Sequence, residues 1–105
     1  METDKEILNE IKRTAQEIVP DAKVFLFGSR VSGNIHDESD WDILILTNRP
    51  VNKNLKERIR DSIYPIGWKY SSFIQTIIVG KEEWHNNPSY YSLRKNISEN
   101  PILAL

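Results

Sequence analysis

The chain has 105 residues and no cysteine, which excludes disulfide scaffolds, thiolate metal sites and cysteine nucleophiles together. Any catalysis must run on carboxylates, hydroxyls or histidine, and the absence of thiols is compatible with a reducing cytoplasm. An excess of one charge sign is missing as well. Fourteen Lys plus Arg stand against fifteen Asp plus Glu, a formal net charge of −1, so no global positive field is available to hold a nucleic-acid backbone by counterion release. A dedicated DNA or RNA binder is therefore disfavoured. No stretch approaches the roughly 18 consecutive apolar residues of a membrane span. The opening Met1-Glu2-Thr3-Asp4-Lys5-Glu6 is too polar for a secretion signal. Membrane insertion is not expected, and a cytoplasmic location is. Internal repeats, low-complexity tracts and linkers are also lacking. With 39% hydrophobic and 28% charged residues, one modest core and a single domain over residues 1–105 are expected.

What is present alternates helical and strand patterns. Thr3 followed by Glu6 has the form of a capping box, and Ile7, Leu8, Ile11, Ala15, Ile18 and Val19 recur at helical spacing up to Pro20. Val24-Phe25-Leu26-Phe27, ending at Gly28, reads as a strand buried on both faces, and Trp41 to Leu46 as a second. Between them, Ser29 to Ser39 is a polar loop. Leu55, Ile59 and Ile63 predict a helix over 54–63 ended by Pro65 and Gly67. Trp68 to Val79, closed by Gly80, reads as a long third strand, and a last helix falls within Ser89 to Glu99. The order α-β-loop-β-α-β-α predicts an α/β (α+β) fold in which helices pack against a small mixed sheet.

The chemistry concentrates between Gly28 and Asp42. Asp40 and Asp42 are two residues apart at the start of a strand, so their side chains share one face, roughly 6.5 to 7 Å apart along the backbone. Hard oxygen ligands at that spacing suit Mg²⁺, which would bridge nucleotide phosphates. Trp41, Ile43 and Ile45 then take the opposite face, while Leu44 and Leu46 continue the carboxylate face as core. Gly28 allows a tight turn out of the first strand, and Ser29 offers a hydroxyl and backbone N–H groups to phosphate oxygens. Arg30 adds a fixed positive charge beside them.

Gly28-Ser29, ten intervening residues and Asp40-Trp41-Asp42 resemble the signature of the minimal nucleotidyltransferases of the DNA polymerase β-like superfamily. Average residue frequencies give such a pattern by chance in on the order of one in a thousand chains of this size. The resemblance implies a nucleotidyltransferase-like fold and Mg²⁺-dependent transfer of a nucleoside monophosphate, usually from ATP, to an acceptor hydroxyl. By motif position it assigns the triphosphate to Gly28 and Ser29, with Arg30 as a phosphate contact, and Mg²⁺ to Asp40 and Asp42. It further implies a small helical partner of the HEPN type in a toxin–antitoxin arrangement.

One departure from the family pattern stands out. Active members commonly carry a third carboxylate on the following strand, yet no Asp or Glu lies between Asp61 and Glu82, leaving Ser71, Ser72, Gln75 and Thr76 as oxygen donors there. Glu38 could replace it if the strand starts early, and Asp37 or Glu82 through loop geometry. Two functions are consistent with this pattern: a nucleotidyltransferase, or a degenerate module that binds nucleotide or partner without catalysis. His36 and His85 lack a second histidine at metal-binding spacing and receive no role. Trp68, Tyr70, Phe73 and Trp84 read as core and rim packing rather than a base-stacking platform. Lys53, Lys56, Arg58 and Arg60, interleaved with Glu57 and Asp61, read as a solvated helix face. The apolar ending Pro101-Ile102-Leu103-Ala104-Leu105 either packs back on the sheet or forms a patch for another chain, a second copy included.

Overall fold

A computed structural model describes residues 2–28, 40–99 and 102–105. Its centre is β2 (Trp41–Thr47), hydrogen-bonded along both edges. On one side β1 (Lys23–Phe27) runs antiparallel to it, with Phe27 opposite Asp42. On the other side β3 (Ile74–Gly80) runs parallel, with Gln75 level with Asp42. A two-residue strand, β4 (Leu103–Ala104), pairs antiparallel with the free edge of β1, giving the order β3-β2-β1-β4. The expected mixed sheet is present, and the apolar C-terminal segment packs back on it. Parallel neighbours cannot be joined by a tight turn. The crossover between β2 and β3 is helix α2 (Lys53–Lys69).

Because side chains alternate along a strand, β2 serves two apolar layers. Trp41, Ile43 and Ile45 pack with Val24, Leu26 and Ile78 against Ile7, Ile11 and Ala15 of α1 (Glu2–Ile18) and Ile59, Ile63 and Ile66 of α2. On the opposite face Leu44 and Val79 meet Trp84 of α3 (Lys81–Asn86), with Phe25, Phe27, Leu46 and Ile77 around them. Leu93 and Ile97 of α4 (Tyr91–Glu99), which follows a 3-10 turn at Pro88–Tyr90, complete this smaller layer. Arg94 of α4 binds it to α3 by donating to the carbonyls of Trp84 and Asn87. No helix among the described residues is long and apolar enough to cross a membrane.

Several boundaries differ from expectation. Helix α1 begins at Glu2, so Thr3 lies inside its first turn rather than ahead of it. Asn52 caps α2, its Oδ1 accepting from Leu55 N at 2.7 Å. That helix runs through both Pro65 and Gly67 to Lys69, so Trp68 is helical and the third strand is shorter than its composition suggests. Buried Ile66 extends the stripe of Ile59 and Ile63 past the proline, and this packing outweighs the ring's penalty. Gly67 is tolerated because the chain returns over it: a Cβ there would meet the Ser72 carbonyl oxygen at 2.7 Å, and Ser72 N donates to Gly67 O at 2.8 Å. The true stop is Ser71, in the left-handed region at φ 52° just after the helix. The six-residue α3 is too short to show a helical period in the sequence.

Exposed Ser71 pays for that left-handed backbone without a side-chain reward. Ser71→Gly is expected to stabilise the fold by about 0.5–1 kcal/mol, measured as a rise in the urea midpoint at constant slope.

Candidate active site

The carboxylate pair stands where β2 begins. Asp40 immediately precedes the strand and Asp42 is its second residue. Trp41 between them is buried on the α1 and α2 side, and its N–H donates to Phe73 O at 2.9 Å, pinning the strand's start to the turn that leads into β3. Asp42 therefore shares its face with Leu44. The layer formed by α3 and α4 covers Leu44 but leaves Asp42 half-buried at its margin.

Gly28 closes on this carboxylate from β1. Its φ is +82°, a conformation that costs little only for glycine. A Cβ at Gly28 would fall 2.2 Å from Asp42 Oδ2 and 3.1 Å from its Cγ. The residue must be glycine on two independent counts, backbone conformation and contact. Burial pushes the Asp42 carboxyl above its ordinary range, and the negative charge of Asp40 acts in the same direction. A half-buried carboxylate under like-charge repulsion, in a cradle that any side chain at position 28 would fill, is an environment a divalent cation relieves. The donor set fits Mg²⁺.

Ser29, Arg30, Asp37 and Glu38 lie outside the described residues. Among the described residues, no third Asp, Glu or His groups with Asp40 and Asp42. Glu82 lies at the opposite end of the sheet, lining a cavity of about 410 Å³ with Arg49 and Asn86. What does reach the pair from β3 is Gln75, whose Nε2 donates to Asp40 Oδ2 at 2.9 Å. A larger open groove of about 820 Å³ runs between α2 and the outer edge of β3, lined in part by Arg60, Tyr64, Trp68, Phe73 and Gln75, and includes neither Asp. Trp68 and Phe73 are 72% and 64% exposed, contrary to the expectation that they pack in core or rim, whereas Trp84 is buried as expected. The helical extension beyond Gly67 turns Trp68 outward.

A glycine turn at the end of one strand thus closes onto a carboxylate of the next, with a second carboxylate just ahead of that strand. Residues 8–98 match the nucleotidyltransferase domain family, and the chain belongs to that family. Over 78 residues it is 35% identical to MJ0141 of Methanocaldococcus jannaschii, covering 72% of this chain and 79% of that protein. Over 52 residues it is 35% identical to MntA of Haemophilus influenzae, covering 50% of this chain and 46% of MntA, about half that relative's length. Both carry the name of protein adenylyltransferases. Among solved structures, an Enterococcus spectinomycin adenyltransferase bound to ATP and spectinomycin superposes with a TM-score of 0.66 at 21% identity, over 95% of this chain and 48% of that one. A toxin–antitoxin structure with AMP-PNP superposes with a TM-score of 0.52 at 21% identity, over 67% of this chain and 55% of that one. The two structures share the fold of this chain.

Two outcomes are expected at this site. Gly28→Ala forces a Cβ into the Asp42 carboxylate and should destabilise the fold by about 1–3 kcal/mol, read from chemical denaturation. Asp42, with its pKa raised on folding, contributes stability that is present below about pH 4 and lost as pH rises through its folded value. Asp42→Asn should therefore melt a few degrees higher than the wild type at pH 7 without metal. Calorimetry as a function of pH should show that gap close in acid, below about pH 4.

Proposed function

We propose that this chain transfers a nucleoside monophosphate from ATP to a hydroxyl group on a partner protein. The observation that carries the reading is the close approach of Gly28 to the Asp42 carboxylate, one residue from each half of the motif. In this reading Asp40 and Asp42 hold Mg²⁺, while Gly28, Ser29 and Arg30 receive the triphosphate. The acceptor oxygen attacks the α-phosphorus, and the bond from that phosphorus to the bridging oxygen of the β-phosphate breaks. Pyrophosphate leaves with the electron pair, and the hydroxyl proton passes to solvent. When bound, Mg²⁺ supplies neutralisation of the charge that develops on the phosphate oxygens.

The protein acceptor is supported by the names of the two adenylyltransferase relatives, and the toxin–antitoxin structure supports a dedicated partner. We take that partner to be a small helical protein of the HEPN type. A cytoplasmic setting, where ATP and Mg²⁺ are at hand, goes with this proposal. The position of neutral Gln75 beside Asp40 favours one second reading, a module that binds nucleotide or partner and acts by masking a surface.

The test is incorporation of label from α-labelled ATP, using the purified chain together with the protein encoded beside it. Label on that protein should require Mg²⁺, disappear with EDTA, and fall at least about 100-fold in the Asp40→Asn, Asp42→Asn double variant. No label with any nucleoside triphosphate, while partner binding stays intact, would leave the masking module.

A further inference from the structure

The strand beside the carboxylate pair presents a neutral side chain at the level where an acidic one would complete the centre. Gln75 is the parallel-ladder partner of Asp42, so the two side chains leave the sheet on one face. From there its amide crosses to Asp40, Nε2 to Oδ2 at 2.9 Å. The chemistry fixes the orientation of that amide, since turning its oxygen toward the carboxylate would set two acceptors against each other. Gln75 is exposed, so core packing does not dictate its identity, and a glutamate would occupy the same space. No third Asp, Glu or His among the described residues takes up the role.

Resting on the function proposed above, we infer that Gln75 is a positioning residue that replaces a third acidic ligand and makes cation binding depend on the nucleotide. The amide aims Asp40 by holding one of its oxygens, yet adds no negative charge. Two carboxylates balance the charge of a single divalent ion, and affinity for such ions follows the number of charged oxygens in the site. With no third acid grouped with them among the described residues, the two leave most of the ion's coordination to the triphosphate, whose oxygens and negative charge strengthen the binding. Cation and nucleotide enter together, and each raises the other's affinity by the same factor. With a glutamate at position 75 the centre would gather a cation before any nucleotide arrives.

The probe is Mn²⁺, whose free ion is counted by its paramagnetic resonance signal, titrated with and without α,β-methylene ATP, and binding to the protein is the loss of signal beyond that of the same titration without protein. Circular dichroism establishes that each variant is folded. For the wild type, Mn²⁺ should bind at least about tenfold tighter with the analogue than without it. Gln75→Glu should bind Mn²⁺ alone about tenfold tighter than the wild type does and lose most of the nucleotide dependence. Gln75→Leu, with no donor to aim Asp40, should keep the dependence but bind severalfold more weakly with the analogue present. Equal Mn²⁺ affinity in Gln75→Glu and the wild type, with binding still abolished by the Asp40→Asn, Asp42→Asn double variant, would overturn this inference alone. Mn²⁺ binding that survives the double variant would overturn it together with the function on which it rests.

Discussion

Strand β2 is hydrogen-bonded to a neighbour on each edge and packed by helices on each face, so its register admits no slip. Moving it by one residue would exchange Trp41, Ile43 and Ile45 with Asp42, Leu44 and Leu46, placing a carboxylate among the isoleucines of α1 and α2. The cost of a buried unpaired charge therefore enforces the position of Asp42. The same register brings Phe27 and Gln75 to its two sides. Folding and site assembly are one event in this protein, because the residues that form the core and those that meet at the carboxylates alternate along one strand.

That arrangement carries a tension. Asp42 rests against Gly28 in a half-buried position where its charge is disfavoured by burial and by Asp40. In the fold alone this is a destabilising element, and the well-packed sheet around it offsets the strain. Sites that await a ligand often have this character, their like charges held close by packing until a counter-charge arrives. The bond between α1 and α2, Lys69 Nζ to Glu10 Oε1 at 2.8 Å, lies at the same end of α2 from which the chain turns into β3. It helps seat the turn against which Trp41 is pinned.

Much of this was legible in the amino-acid order, and the exceptions have physical reasons. Buried strands announce themselves as unbroken apolar runs, so β1 and β2 and the facing of their side chains could be read directly, as could the carboxylates on one face. Helix ends were harder. Pro65 and Gly67 look like stop signals, but Ile66 is buried and Gly67 answers a close approach of Ser72. The actual stop is a serine in a left-handed conformation, which no local pattern advertises. A stop read at Pro65 also places Trp68 in a strand that begins only at Ile74. The closeness of Gly28 to Asp42 is a long-range contact that spacing alone cannot supply. Gln75 was visible as an oxygen-bearing residue, and only the parallel register showed that it reaches Asp40.

The outer edge of β3 pairs with no strand among the described residues, and beside it Tyr64, Trp68 and Phe73 hold much of their aromatic surface in water. Unpaired edges and bare rings are features that soluble proteins usually blunt. Here they border the groove whose lining includes Gln75, so bare aromatic surface and the residue that binds Asp40 occupy one rim of the molecule. Polar replacements along this rim would thus also alter the surface beside the side chain that holds Asp40. The polarity of the rim and the setting of Asp40 are therefore not independent variables in this protein.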